Sequence, residues 1–264
     1  MYIEWINDQY GLTGLYLFIL VSFLILYLVL ATASYLYFFS YQRKRYHPDY
    51  QLDKPEIIKS IKWALYNALV NSLIIVFIEL LIIKGNSKIY FDFSDHSPGY
   101  TLLSILMVLI IAETLIYWIH RALHTRILYR YIHSYHHRFR EPTPYTSLAF
   151  HPLDALFQGL PYHLCAFLFP LNFWVYHASV VLATLWSLTI HDRVRLVPSE
   201  WINHTGCHMV HHWFFAYNYG QFFTFWDRLC GTHRSADCLP DKFYSSWPKR
   251  SQTRNSNTVP GLMR

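Results

Sequence analysis

The stretch YTLLSILMVLIIAETLIYWIHRALH, Tyr100 to His124, decides the fold. From Tyr100 to Ile119 it carries one charge, Glu113, and it ends in two histidines four residues apart. About 20 apolar residues suffice for a helix to cross a bilayer. Positions i and i+4 of that helix face the same way. The stretch therefore reads as a span that delivers two imidazoles to a membrane surface. Working outward, Gly11 to Ser40 holds no Asp, Glu, Lys or Arg, and Trp63 to Ile83 holds only Glu79. Both read as spans. Ala155 to Ile190 has no charged residue but contains Pro161 and Pro170, which predicts a hairpin of two short legs. A cleaved signal peptide does not fit the first run, which is too long and is preceded by Glu4 and Asp8 where basic residues belong.

The expected fold is an all-α integral membrane protein with about four transmembrane helical elements, the last a Pro-containing hairpin, under a histidine-rich di-metal cap. Residues 1–248 read as a single domain, with the histidine-box region at 111–232. Residues 249–264, rich in Ser, Asn, Thr and Arg, read as a disordered basic tail.

The net charge of +6 does not indicate nucleic acid as a partner, because the basic residues sit beside apolar runs: Arg43-Lys44-Arg45, Arg121, Arg126, Arg130, Arg138 and Arg140. That placement sets topology and attracts anionic headgroups. By the positive-inside rule the first span ends in the cytosol, and counting spans then places every histidine cluster on that side. Asn203-His-Thr205 is a formal glycosylation sequon that this topology hides. The four cysteines have no C-x-x-C spacing and read as packing residues.

Histidine carries the functional signal, with 16 in the chain. Besides His120-Arg-Ala-Leu-His124 there are two H-x-x-H-H boxes, His133/His136/His137 and His208/His211/His212, and His191 begins the segment after the hairpin. Spacings of i, i+3 and i+4 lie along one helical face. Nitrogen ligands suit Fe, Zn, Cu or Ni rather than Mg or Ca. A structural zinc uses four ligands, so nine histidines fit two metals with open positions, and two irons that activate O₂ make the best use of them. His47, His96, His163, His177 and His233 read as structural or solvent-facing.

Metal-bound imidazoles usually give their other N–H to a carboxylate or carbonyl. Asp154, Asp192 and Asp227 are the candidates by sequence proximity, while His151 and His204 are candidate extra ligands. Glu113 shares a helical stripe with Tyr117, His120 and His124 and lies about 10 Å deeper than His120 at 1.5 Å per residue. An intramembrane carboxylate is a functional suspect, so Glu113 and Tyr117 are candidates for a substrate cavity. Pairing of Glu113 with Asn67 or Asn71 is the alternative.

The order H-x-x-x-H, H-x-x-H-H, H-x-x-H-H resembles the fatty acid hydroxylase/sterol desaturase superfamily. More narrowly, Pro142-Thr-Pro-Tyr145, Phe150-His-Pro-Leu-Asp154, Gly159-Leu-Pro-Tyr-His163, Ile190-His-Asp192 and Tyr217-Asn-Tyr-Gly-Gln-Phe-Phe-Thr-Phe-Trp-Asp-Arg228 resemble the Δ7-sterol 5(6)-desaturases, the lathosterol oxidase group. The resemblance covers roughly Ile111 to Thr232. It implies an oxidoreductase of sterol biosynthesis in the endoplasmic reticulum membrane, or the inner membrane of a bacterium, that desaturates C-5(6) of a Δ7 sterol. It also implies two Fe ions, O₂ as co-substrate, and electrons from NAD(P)H through cytochrome b5 and its reductase. The metal ligands carried over are His120, His124, His133, His136, His137, His191, His208, His211 and His212. The string before the last box, Asn203-His-Thr-Gly-Cys207, departs from the family pattern and leaves His204 without a role from the resemblance. His47-Pro-Asp-Tyr50 lacks the glycines of a fused cytochrome b5 motif, so the donor is expected to be a separate protein.

Three other readings compete. A related oxygenase would act on a sterol C-4 methyl, a fatty acyl or a sphingoid chain. A membrane metal transporter would need ligands inside its spans, and a non-catalytic sterol-binding protein would tolerate loss of His136 or His211.

Overall fold

The computed structural model describes residues 2–197 and 199–239; the expected basic tail, 249–264, lies outside them. The first long helix, α1 (Tyr2–Ser34), continues as a π-helical segment, Tyr35–Tyr41. Gly11 interrupts it at φ +64°, a left-handed conformation that glycine reaches without strain. α2 (Lys54–Ile83) is started by the Asp53 side chain, which accepts from the Glu56 amide at 2.9 Å, and by Pro55 in its first turn. α3 (Pro98–Leu123) begins in the same way, with Ser97 as its cap and Pro98 behind it.

The hairpin is α4 (Pro152–Leu168) and α5 (Phe173–His191). It turns at Phe169-Pro170. Pro161 does not divide α4: it is buried inside the helix, so the packing of its neighbours Tyr162, Cys165 and Ala166 against Ala112 and Ile116 of α3 outweighs one missing backbone bond. After the hairpin comes α6 (Thr205–Phe214), closed by Phe215 in the left-handed region, and then a short helix, Phe225–Leu229.

Among the described residues four helical segments are long and apolar enough to cross a membrane: Ile3–Tyr41, Lys54–Ile83, Pro98–Leu123 and Phe173–His191. The protein is a multi-pass membrane protein. Leu12, Leu17, Val21, Ile25 and Val29 of α1 stand exposed, as lipid-facing residues do. Within the predicted hairpin only α5 qualifies as a span, while α4, with 17 residues, runs beside it to the same turn.

The two ends of the bundle differ. At one end, β1 (Ile89–Tyr90) pairs in parallel with β2 (Leu171–Asn172), the only sheet among the described residues. There the Lys88 amide donates to Ala166 O at 2.8 Å and Tyr100 Oη to Pro170 O at 2.9 Å. At the other end α3 finishes at His120–His124, α5 finishes at His191, and α6 lies across them. The Arg43-Lys44-Arg45 segment belongs to this end, because His47 Nε2 bonds Asp192 O at 3.1 Å.

Candidate metal centre

Five elements converge at the histidine end. α3 supplies His120 and, at its cap, His124. A π-helical turn, Tyr129–His133, followed by one α-helical turn, Ser134–His137, supplies the second box. α5 supplies His191 from its last turn, and α6 supplies the third box. The nine rings sort into two groups whose ligand nitrogens each lie within 4.8 Å of one another: His120, His124, His133, His137 and His211, and His136, His191, His208 and His212.

Neither H-x-x-H-H box serves one group. His133 and His137 point to the first group and His136 to the second, while His208 and His212 point to the second and His211 to the first. The helical geometry explains the split. Residues four apart are offset by about 40° and stay together, whereas the i+3 residue falls about 60° to the other side.

The hydrogen bonds show what these rings present to one another. His120 Nδ1 donates to Tyr219 O at 2.9 Å, His211 Nδ1 to Tyr217 O at 2.8 Å, and His191 Nδ1 to Ser187 O at 2.6 Å. His133 Nδ1 donates to Asp154 Oδ2 at 2.7 Å. A neutral ring that donates through Nδ1 has only a lone pair at Nε2. Yet Nε2 of His120 and Nε2 of His133 lie 3.2 Å apart, and His191 Nε2 lies 3.0 Å from His208 Nε2 and 3.2 Å from His136 Nε2.

With both rings neutral, the His120–His133 contact sets two lone pairs face to face. A cation between them turns that repulsion into coordination. With metal–nitrogen bonds of about 2.0–2.1 Å, ligands at right angles stand roughly 3.0 Å apart, which matches these separations. The donor set thus fits two transition-metal ions.

Electrostatics agree with that form. Burial, then the neighbouring imidazoles, hold His136, His137, His208, His211 and His212 well below the ordinary value of 6.5. The rings are kept neutral, the state that binds metal. His124 is displaced in the same direction for the same reasons. Buried nitrogens without a hydrogen-bond partner include Nε2 of His124 and Nδ1 of His136, His137 and His212.

The candidate supporting residues separate clearly. Asp154, fully buried, divides its oxygens between His133 Nδ1 and Gln158 Nε2, each at 2.7 Å. Asp192 does not reach a histidine ring; its Oδ1 accepts from Val194 N at 2.8 Å and shapes the bend after α5. Asp227 acts at one remove. It accepts from the amides of Tyr219 and Gly220 at 2.9 Å each, and Tyr219 O in turn receives His120. His151 and His204 lie outside both groups, since each uses Nδ1 to cap a helix, α4 and α6 respectively.

Glu113 and Tyr117 are not among the residues lining the cavity below the metals. Glu113 does not pair with Asn67 or Asn71 either. Its carboxylate accepts from the amides of Phe222 and Phe223 at 2.9 and 3.0 Å, and so buries a loop that re-enters the bundle. Asn67 and Asn71 instead donate to Leu148 O and Pro152 O. Tyr117 Oη shares a hydrogen bond with Thr232 Oγ1 at 2.9 Å. Glu113 and Asp227 together fix residues 219–223. At Gly220 a Cβ would stand 3.0 Å from Asp227 Oδ2 and 3.3 Å from Glu113 Oε1, so the loop is held only with glycine there. Asn203 of the formal sequon is buried and donates to Gly220 O.

Sequence reasoning missed the carbonyls of Tyr217, Tyr219 and Ser187, for which side chains carry no signal. It also missed Gln158, whose i+4 spacing from Asp154 was visible. Below the histidines a mainly apolar cavity of about 330 Å³ descends between α1, α2, α4 and α5. His120, His133, His136, His191 and His208 line its head, and Glu79 and His177, 3.1 Å apart, lie at its foot. Such a volume suits a small hydrophobic ligand.

Apolar spans, a nine-histidine cluster at one end and a cavity beneath it define a class of multi-pass membrane protein with a candidate two-metal centre. The fatty acid hydroxylase family model matches residues 105–232. Lathosterol oxidase of Rattus norvegicus is 38% identical over 240 residues, 89% of this chain and 79% of that protein. Lathosterol oxidase of Homo sapiens is 38% identical over 230 residues, 85% of this chain and 76% of that protein. A Δ7-sterol 5(6)-desaturase of Gibberella zeae is 39% identical over 224 residues, 83% of this chain and 62% of that protein. The chain belongs to the fatty acid hydroxylase family and, within it, to the group of lathosterol oxidases and Δ7-sterol 5(6)-desaturases, which makes it an oxidoreductase of that type. No solved structure matches it.

Proposed function

We propose that the protein introduces the C-5(6) double bond into a Δ7 sterol, with two irons held by the nine histidines. The observation that carries the proposal is the set of converging, buried imidazole nitrogens at the head of a mainly apolar cavity among the spans. The names of the relatives supply the substrate class and the position of the bond. Iron in these groups would supply the redox chemistry that activates O₂. The balance is two hydrogens from the sterol and two electrons from NAD(P)H, which with O₂ and protons give two waters.

The chain's own task is to hold and exclude. Carbonyls of Tyr219, Tyr217 and Ser187, with the Asp154 carboxylate, fix four rings in the tautomer that ligates through Nε2. The cavity walls, with Phe150 stacked 4.2 Å from His136, keep water away and seat the rigid ring system with C-5 and C-6 at the histidine end. Membrane lipid supplies the substrate. The Arg43-Lys44-Arg45 segment at that end supports a centre on the cytosolic face, in the endoplasmic reticulum membrane that the relatives' group implies. Electrons arrive there from cytochrome b5 and its reductase, steered by the exposed Arg126, Arg130, Arg138 and Arg140 around the second box.

The test is expression in cells that lack 5(6)-desaturation, followed by mass analysis of their sterols. A new Δ5,7 sterol is expected. Unmodified Δ7 sterol from a metal-loaded protein contradicts the proposal, and a hydroxylated C-4 methyl, acyl or sphingoid product assigns the chain to a neighbouring activity.

A further inference from the structure

Among the polar side chains that line the cavity, two sets stand apart from each other as a lower and an upper tier. The lower tier is the Glu79–His177 pair with His163, whose Nδ1 lies 2.8 Å from Tyr176 Oη. From His191 to His177 along α5 is about 21 Å at 1.5 Å per residue. The upper tier is Gln158 with Asn67 and Asn71. Gln158 follows Asp154 by one helical turn, about 6 Å further along α4.

An ionised carboxylate only accepts, so the 2.7 Å contact with Asp154 Oδ1 fixes the Gln158 amide with its NH₂ toward Asp154. Its carbonyl oxygen is left over. Among the described residues Oε1 of Gln158 makes no hydrogen bond, and the side chain is half-buried because it faces the cavity. Facing the cavity, that acceptor is open to a hydrogen-bond donor on a bound ligand.

We propose that Gln158 recognises the 3-hydroxyl of the sterol, which donates to Oε1. The inference rests on the Δ7-sterol reading above and adds the direction in which the substrate lies. In a sterol the hydroxyl oxygen is three bonds from C-5, through C-3 and C-4. If C-5 and C-6 react beside the histidines, the hydroxyl stays at that end and the hydrocarbon tail points down the cavity. The lower tier is then out of the hydroxyl's reach.

Within the upper tier, Asn67 Oδ1 accepts from Asn71 Nδ2 at 2.6 Å, and the two amides hold Leu148 O and Pro152 O at 3.1 Å each. These asparagines anchor the backbone that leads into α4. Gln158 alone of the three is bonded to a residue that orients a ring of the centre. The resulting chain runs from hydroxyl to Gln158, Asp154 and His133, so seating the substrate and aligning His133 are linked.

The experiment uses the metal-loaded protein in lipid nanodiscs with its electron donors, and compares a 3β-hydroxy Δ7 sterol with its 3-methyl ether, which cannot donate. The wild type is expected to favour the free hydroxyl by about tenfold or more in kcat/KM, carried mainly in KM, the size expected for one hydrogen bond. In Gln158→Leu, and in the closer isostere Gln158→Met should the first fold poorly, that ratio falls to about one while the metal content stays at the wild-type value. Asn71→Leu keeps the ratio. The proposal is overturned if the ratio survives in both Gln158 variants, or if it is lost in Asn71→Leu instead. A wild type that makes no 5(6)-desaturated product from either sterol overturns the underlying function, and the inference with it; the Gln158 arms judge the inference alone.

Discussion

The two histidine groups are built differently. In the group of five, His120, His133 and His211 are each braced through Nδ1 by an oxygen, one of them the Asp154 carboxylate. In the group of four His191 is braced by the Ser187 carbonyl, while Nδ1 of His136 is buried without a partner, as is Nδ1 of His137 in the group of five. A metal in the first group would meet five rings, three of them held in place. A metal in the other would have fewer ligands, hence more free positions, and fewer braced rings. The contrast would divide the work between an anchored site and an open one, both at the head of the same cavity.

The sharpest way to break the comparison is to remove one ligand from each side. His211→Ala and His136→Ala are both expected to abolish turnover, each lowering the metal content by about one ion per chain. Loss of both ions in either variant would mean that the groups are one cluster. Next in size is Asp154→Asn, which takes the carboxylate from His133. Metal titration is expected to show a 10–100-fold weaker ion in the braced group, roughly the usual effect of losing such a partner, with the other ion unchanged.

Glu113→Gln acts further away. It takes the carboxylate acceptor from two buried amides, so melting should reveal a loss of about 1–3 kcal/mol. Turnover should drop with the loosened Tyr219 carbonyl while the product stays the same, because Glu113 does not line the cavity. A changed product profile would restore it to the cavity wall.

The smallest effect concerns pH. Burial, with the Arg193 guanidinium beside it, pulls His47 down to about 3, while the unfolded ring titrates near 6.5. Above 6.5 neither state binds the proton and folding loses nothing. As pH falls below 6.5 the unfolded chain protonates first, so stability declines, by about 1 kcal/mol at pH 5.5 from this ring alone. His47→Phe should flatten that part of the acid-unfolding curve and leave the part due to the central histidines.

Much of this was legible because it is written in one residue type at a time. Uncharged runs fixed the spans, and the spacing of histidines identified the cluster. What stayed hidden depends on chain segments far apart. Asp154, Asp192 and Asp227 were equivalent by proximity, yet only Asp154 stands under a ring, because α4 begins beside the second box. Glu113 was recognised as an unusual carboxylate, but its partners are backbone amides 109 and 110 residues later, which no side-chain pattern encodes. The division of each box between two groups follows from helical angles that become meaningful only when α3, α5 and α6 meet. Pro161 looked like a break and is a packed position, since tertiary contacts overrode a local preference.

Metal counting on the purified protein tests the central claim most directly. Element analysis of the wild type is expected to give two irons per chain, falling to about one in His136→Ala. A wild type that retains a single tightly held ion, or two zincs that iron does not replace, would contradict a two-iron centre built from these nine histidines.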